Sequence, residues 1–378
     1  MDIGTSQRYR DLGLRRVVNA SDTLTVLGGG RLSPGVLEAM TQAAAHHIDI
    51  PDLLAATGRH LAELTRNEAA LVVGGAAAGL AVATAGAIAG TDPALVDALP
   101  ADPPPRSEVV LMRAQRNPYD RAISQTGARI VEIGYFDATP EHQFRSALNE
   151  RTAAVVWFAG TQFEWGALPL ERTVAIAHEA GVPVIVDAAA QLPPVENLWH
   201  YTVDLGADLV VFSGGKGLRG PQNSGLVLGR ADLVEAAAAN TYPRHSTGRS
   251  MKTSKESILG LVAAVEEALA TDWEAARERW EAIVATVVEH VGALEGVSAW
   301  RVPTGRLGQA YPRAFVRWEH GPADAAALAA AMASGLVPVV IGHDDARDKC
   351  VYVNPFSLLE GEAEVVVQRL VDELAGAR

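Results

Sequence analysis

What most limits the folds open to this chain is an alternation, between about residues 55 and 240, of short apolar β-rich runs with longer helical patterns. Parallel strands cannot be joined by a tight turn and need a crossover of a dozen or more residues, so this spacing marks βαβ units on a mostly parallel sheet. The predicted strands are Ala69 to Val73, Glu108 to Met112, Arg129 to Ile133, Ala153 to Phe158, Pro183 to Asp187, Asp208 to Ser213 and Gly225 to Gly229. Several are apolar at successive positions, as strands covered on both faces must be. Helices are predicted over Ala76 to Ala89, Pro118 to Thr126, Glu141 to Asn149 and Leu170 to Ala180, each ending near a Gly or Pro breaker. The fold class is therefore α/β, a seven-stranded sheet flanked by helices.

The run Ala98-Leu99-Pro100-Ala101-Asp102-Pro103-Pro104-Pro105 reads as a surface connection inside this domain, since three consecutive prolines fit neither a helix interior nor an inner strand. After Tyr242-Pro243 the pattern changes to a long helical region from about Lys255 to Leu294, then Val297 to Val302, Ala314 to Trp318, a helix near Ala323 to Ala333, further short strands and a last helix from Glu360 to Leu374. The expected division is a large domain over 51–245, a smaller α+β domain over 246–378, and a segment over 1–50 that contributes to the site and to the small domain.

Composition narrows the function classes. With 32 Lys plus Arg against 45 Asp plus Glu, the net charge of −13 repels nucleic acid and anionic membrane surfaces, so neither is an expected partner. Cys350 is the single cysteine, which excludes an internal disulfide and any cysteine cluster for a metal. No apolar signal core follows the basic N-terminal residues, and no run of about 18 apolar residues follows anywhere. A soluble, cytoplasmic protein without a metal site is expected.

Three segments carry chemistry. In Asp208-Leu209-Val210-Val211-Phe212-Ser213-Gly214-Gly215-Lys216-Gly217 an apolar strand runs into a glycine-flanked lysine, at the carboxyl end of a strand where open α/β sheets bind ligands. In Val184-Ile185-Val186-Asp187 another strand ends in a carboxylate, which could cap a turn or pair with the pyridinium nitrogen of pyridoxal phosphate. In Leu71-Val72-Val73-Gly74-Gly75-Ala76-Ala77-Ala78 a strand passes through small residues into a helix, whose N–H groups form an anion site or merely a tight packing turn. The order of an Asp ending one strand and a Ser-x-x-Lys ending another about thirty residues later fits pyridoxal 5'-phosphate, with Ser213 at the phosphate. Gly215 to Gly220 matches G-x-G-x-x-G formally, but Pro221 prevents the helix that a dinucleotide site requires, and Gly217 stands where a Walker loop needs Ser or Thr.

Together with Val18-Asn19-Ala20-Ser21-Asp22-Thr23-Leu24-Thr25, Leu27-Gly28-Gly29-Gly30 and Gly248-Arg249-Ser250-Met251-Lys252, these segments resemble the fold-type I pyridoxal-phosphate enzymes, in the branch of selenocysteine synthase and D-glucosaminate-6-phosphate ammonia-lyase. The resemblance runs over nearly the whole chain. It implies an aminotransferase-like fold, Lys216 as the Schiff-base lysine, Asp187 as the pyridinium partner, Ser213 as a phosphate ligand and the turn of Gly75, Ala76 and Ala77 as the phosphate cradle. Gln162 is expected over the cofactor ring. Arg31, Arg219, Arg249 and Lys252 are candidates for a substrate carboxylate or phosphate, for which guanidinium offers bidentate geometry. Asp22 stands where lyases of this kind tend to have glycine, and Gly74 where a hydroxyl residue is common, which bears on the substrate more than on the cofactor. The shared motif begins by Val18, so the tRNA-binding extension of selenocysteine synthase, and a tRNA substrate, are not expected.

The resemblance also implies a homodimer or an assembly of dimers with shared sites, acting on a small-molecule amino substrate. The expected reaction is α,β-elimination from an amino acid or amino-sugar acid; transamination, racemisation and β-substitution are the alternatives with the same cofactor, and a non-catalytic homologue is the alternative without turnover. Core packing is the expected role of Trp157, Phe163 and Trp165, and a surface position that of His46 and His47.

Overall fold

The computed structural model describes residues 6–375. Its strands are β1 (Val18–Ala20), β2 (Ala69–Val73), β3 (Glu108–Met112), β4 (Arg129–Ile133), β5 (Thr152–Phe158), β6 (Val184–Asp187), β7 (Leu209–Ser213), β8 (Gly225–Gly229), β9 (Val297–Val302), β10 (Arg313–Trp318), β11 (Val339–Ile341) and β12 (Cys350–Val353). The chain divides into two units, one spanning Gly30–Thr271 and the other made of the residues before Gly30 and from Asp272 onward.

In the larger unit β2 to β8 form one sheet in the order β2-β8-β7-β6-β5-β3-β4. All run parallel except β8, which is antiparallel to both of its neighbours. Every predicted strand is present within a residue of its expected ends, because each is a short apolar run closed by a polar or glycine signal that acts locally. The carboxyl ends of β2, β3, β5, β6 and β7 therefore share one edge of the sheet. Helix Ala76–Ala89 has no polar face and is buried along nearly all of its length. It packs with β2, Val211, Val227 and helix Ala231–Ala239 in one apolar core that also takes in β3, β5 and β6. Burying a helix on every side fixes its axis, and so fixes where its N-terminus points.

The smaller unit holds a three-stranded antiparallel sheet in the order β12-β10-β9 and a parallel pair of β1 with β11. Ala314, Val316, Trp318, Val351 and Val353 turn one face of the three-stranded sheet into a core shared with Val284, Val287 and Val291 of helix Trp273–Gly292 and Val366 and Leu370 of helix Glu362–Ala375.

Two helical expectations change. The single long helix expected over Lys255 to Leu294 is two helices, Lys255–Ala270 and Trp273–Gly292, because Asp272 leaves helical geometry to cap the second by accepting from Ala275 N at 3.0 Å. The helix expected over Pro118 to Thr126 is a 3-10 turn, Pro118–Asp120, followed by one α turn, Arg121–Ser124. Among the described residues no helix is long and apolar enough to cross a membrane.

Candidate active site

The sheet edge brings together Gly75, Ala76 and Ala77 after β2, Asp187 at the end of β6 and Ser213 to Lys216 after β7. Strands β6 and β7 are tied at this edge by Ala188 N donating to Val211 O at 2.9 Å and Ser213 N to Ala189 O at 3.3 Å. Asp187 is buried, and its Oδ1 accepts from Ala189 N at 3.0 Å, its one hydrogen bond among the described residues. Burial pushes its pKa above the ordinary carboxylate value, against the Ala189 N–H and the positive charge of Lys216, which pull it down. A buried carboxylate with most of its acceptor capacity unused is costly unless a cation meets it.

Lys216 lies in a turn closed by Arg219 N donating to Lys216 O at 2.9 Å and Gly220 N to Gly214 O at 2.8 Å. Gly30 N donates to Gly215 O at 2.7 Å, so Gly30, the last residue of the Leu27 to Gly30 motif, braces this turn. The Lys216 ammonium makes no hydrogen bond or ion pair among the described residues. It lies 5.9 Å from the centroid of the Tyr119 ring. The Ser213 hydroxyl likewise has no partner among the described residues.

The turn after β2 is shaped by close approach. Gly75 holds φ +127°, a conformation side chains resist, and caps helix Ala76–Ala89 without any side-chain acceptor. The first N–H groups of that helix are thus left for an anion. A methyl group at Gly225 of β8 would sit 2.5 Å from Gly75 C and 2.9 Å from Ala76 N, so the turn lies directly on the neighbouring strand. A methyl group at Gly74 would meet Met251 O at 2.5 Å, which brings the Gly248 to Lys252 segment against the same turn. Small residues for a phosphate, a buried carboxylate lacking a cation, an unbonded hydroxyl and an unbonded lysine on one edge fit pyridoxal phosphate.

The other candidates are less enclosed. Gln162 is exposed in the single turn Thr161–Glu164. Arg31, Arg219 and Lys252 are exposed, and Arg249 is half-buried with its guanidinium 6.0 Å from the Tyr242 ring centroid. Asp22 lies in the smaller unit, where its Oδ1 accepts from Thr23 N at 2.7 Å. His46 and His47 are exposed. Trp157 is buried with Nε1 donating to Leu168 O at 3.1 Å, and Phe163 packs on Phe158 at 5.9 Å, but Trp165 is 64% exposed against Phe136 and is not a core residue, because it follows the one-turn helix out to solvent.

Three residues at this edge escape a reading of the sequence alone. The Gln115 side chain, fully buried, donates to Phe158 O at 3.1 Å and accepts from Phe158 N at 3.2 Å, clamping the loop after β3 to the end of β5. Gln191 donates to Ala159 O at 3.2 Å and holds the next carbonyl. Tyr119 faces Lys216 although it is 60% exposed. Its only sequence signal is an aromatic residue shortly beyond a strand end.

The sequence pattern of the aminotransferase class-V family matches residues 52–257. The chain belongs to this family. It is accordingly a pyridoxal-phosphate-dependent enzyme of fold type I that acts on a small molecule. Among class-V relatives, a 5'-C-glycyluridine monooxygenase-decarboxylase from a Streptomyces species is 37% identical over 379 residues, 98% of this chain and 92% of that one. A D-glucosaminate-6-phosphate ammonia lyase from Salmonella typhimurium is 30% identical over 373 residues, 97% of each chain. A solved structure of an enzyme of that name superposes with a TM-score of 0.85 at 30% identity, covering 99% of this chain and 100% of that one. An L-seryl-tRNA(Sec) selenium transferase from Moorella thermoacetica is 27% identical over 419 residues, 98% of this chain and 84% of that one. The resemblance read from the motifs thus holds for both of its named branches.

Proposed function

We propose that the chain is a lyase of 2-amino acids bearing a hydroxyl group on the neighbouring carbon. The observation that carries this reading is the full-length likeness, in sequence and in fold, to an ammonia lyase. The substrates named for the three relatives, a glucosaminate, a glycyluridine and a seryl group, share that 2-amino-3-hydroxy pattern. Bound pyridoxal phosphate supplies an electron sink for the pair left at Cα. Lys216, whose ammonium has no hydrogen-bond or ion-pair partner among the described residues, would hold the cofactor aldehyde and would serve as the general base that takes the Cα proton. Asp187 keeps the ring nitrogen protonated, which gives its buried carboxylate the cation it lacks. Ser213 and the N–H groups of Ala76 and Ala77 hold the phosphate, with Gln162 at the ring. As the proton leaves Cα, hydroxide leaves the neighbouring carbon; hydrolysis of the released enamine yields a 2-oxo acid and ammonia.

A second reading, oxidative decarboxylation, is favoured by the 37% identity to the monooxygenase-decarboxylase. It consumes dioxygen and releases carbon dioxide. One experiment separates the two. The holoenzyme and Lys216→Ala are compared by visible absorption before and after borohydride, and the wild type is then assayed on L-serine and D-glucosaminate 6-phosphate. Equal amounts of 2-oxo acid and ammonia, with no added oxo acid, are expected. Oxygen uptake with carbon dioxide release, or turnover only with an added 2-oxo acid, overturns elimination. We also infer a homodimer with shared sites, on the family likeness, and a cytoplasmic location, supported by a single, free cysteine; light scattering and fractionation test these.

A further inference from the structure

Near the candidate site two strands of the large sheet part. Strand β3 stays in register with β5 only as far as Val110 opposite Val155, although β3 runs on beside β4 to Met112 and β5 beside β6 to Phe158, opposite Asp187. Val155 N donates to Pro183 O and Ala159 N to Asp187 O, each at 2.9 Å, so these residues of β5 turn their peptide groups toward β6. Successive residues alternate in this respect, and Phe158 therefore turns its N–H and C=O toward the side on which β3 has ceased to pair. Gln115, at the end of the 3-10 turn Arg113–Gln115, is fully buried and fills this gap. Its Nε2 donates to Phe158 O at 3.1 Å and its Oε1 accepts from Phe158 N at 3.2 Å, so that a side-chain amide replaces the missing strand. Without it, two enclosed backbone groups would lose their partners.

The same glutamine begins a relay to Tyr119. Asn117 Nδ2 donates to Gln115 O at 2.9 Å, and Asn117 Oδ1 accepts from Tyr119 N at 2.9 Å. Arg116 Nε donates to Asp120 Oδ2 at 2.6 Å and straps the two ends of this short segment together. Tyr119 is 60% exposed, so packing does little to place its ring, which stands 5.9 Å from the Lys216 ammonium. The hydrogen bonds of its segment place it instead. Because Phe158 is the residue opposite Asp187, one buried amide joins the segment that carries Tyr119 to the strand pair that carries Asp187.

We propose that Gln115 is a positioning residue of the cofactor site, which fixes where the Tyr119 ring stands relative to Lys216 and Asp187. This rests on Lys216 and Asp187 as the partners of the cofactor, and it names what places the ring beside them. The test is visible circular dichroism of the holoenzyme, which reads the asymmetry of the cofactor's surroundings and not turnover, together with borohydride reduction and thermal unfolding of the apoprotein. Gln115→Met, close to glutamine in length but without its amide, is expected to keep a reducible band and to lose roughly half or more of the dichroism per bound cofactor, as a site loosened by loss of its support does. Tyr119→Ala is expected to lower the dichroism likewise, and Gln115→Met to add little in that background, since the one residue acts through the other. A lowered apoprotein Tm with wild-type dichroism, or an equal further loss in the Tyr119→Ala background, overturns the proposal. Should Gln115→Met fail to fold, Asn117→Ala, which cuts the relay but leaves Phe158 bonded, carries the test; wild-type dichroism in that variant overturns the proposal. A wild-type band that borohydride does not fix, or that persists in Lys216→Ala, overturns the underlying site reading and this proposal with it. An ordinary wild-type band with unaltered dichroism in the variants overturns the role of Gln115 alone.

Discussion

Replacing Gly225 with alanine puts a methyl group where the backbone of the Gly75–Ala76 turn already lies. Position 225 begins β8 in ordinary strand geometry, so alanine brings no conformational strain of its own. Its methyl would meet Gly75 C at 2.5 Å, Gly75 O at 2.8 Å and Ala76 N at 2.9 Å. These are backbone atoms and cannot rotate aside; the nearest must retreat by about 0.9 Å to reach the 3.4 Å at which ordinary contact begins. Overpacking of this kind costs roughly 1–3 kcal/mol. The apoprotein can relieve part of it by letting the turn drift, whereas phosphate binding needs the N–H groups of the helix where they now point. If about 1.4 kcal/mol or more falls on binding, cofactor affinity drops about tenfold or more. Titration of the apoprotein with pyridoxal phosphate, followed by the visible band, measures this, and urea unfolding of the apoprotein measures the rest. Wild-type cofactor affinity in Gly225→Ala refutes the argument that β8 sets the position of the phosphate turn.

The remaining predictions concern charge. Burial pushes the Glu108 carboxyl up, but hydrogen bonds from Arg151, Arg129 and Asn149 outweigh it and hold the pKa at about 2, against 4.5 unfolded. A lowered folded pKa stabilises the protein above pH 4.5 and ceases to do so as the pH falls toward 2, so Glu108→Gln is expected to cost about 3 kcal/mol at pH 7, trimmed toward 2 because both arginines are mostly exposed. Urea midpoints at pH 7, 4 and 2.5 check this, and a gap that does not close in acid contradicts it. Asp187 has the opposite sign: its folded pKa is raised by burial, so its ionisation costs stability as the pH climbs from 3.8 through the folded value. Asp187→Asn is accordingly expected to raise the melting temperature of the apoprotein at pH 7 while abolishing turnover of the holoenzyme; a lower apoprotein Tm contradicts the burial argument.

Much of this protein is legible from residue order, because the signals that shape it are local. Strands β2 to β8, the breakers that end them, helix Ala76–Ala89, and an Asp and a Lys just past two parallel strands are each encoded within a few consecutive residues by periodicity and turn chemistry. The family likeness and the cofactor follow from those same short segments. The break at Asp272 was also local, but a single capping aspartate inside a long helical pattern is a weaker signal than apolar spacing. What only tertiary structure decided are the meetings of residues far apart in the chain: β8 inserted against β2 so that Gly225 presses on Gly75, Gln115 clamped to Phe158, and Tyr119 brought to Lys216. None of these leaves a mark on its own neighbours in sequence, since each depends on strand order and on which side chains happen to close over a charge; burial and unmet hydrogen bonds are properties of the packed chain.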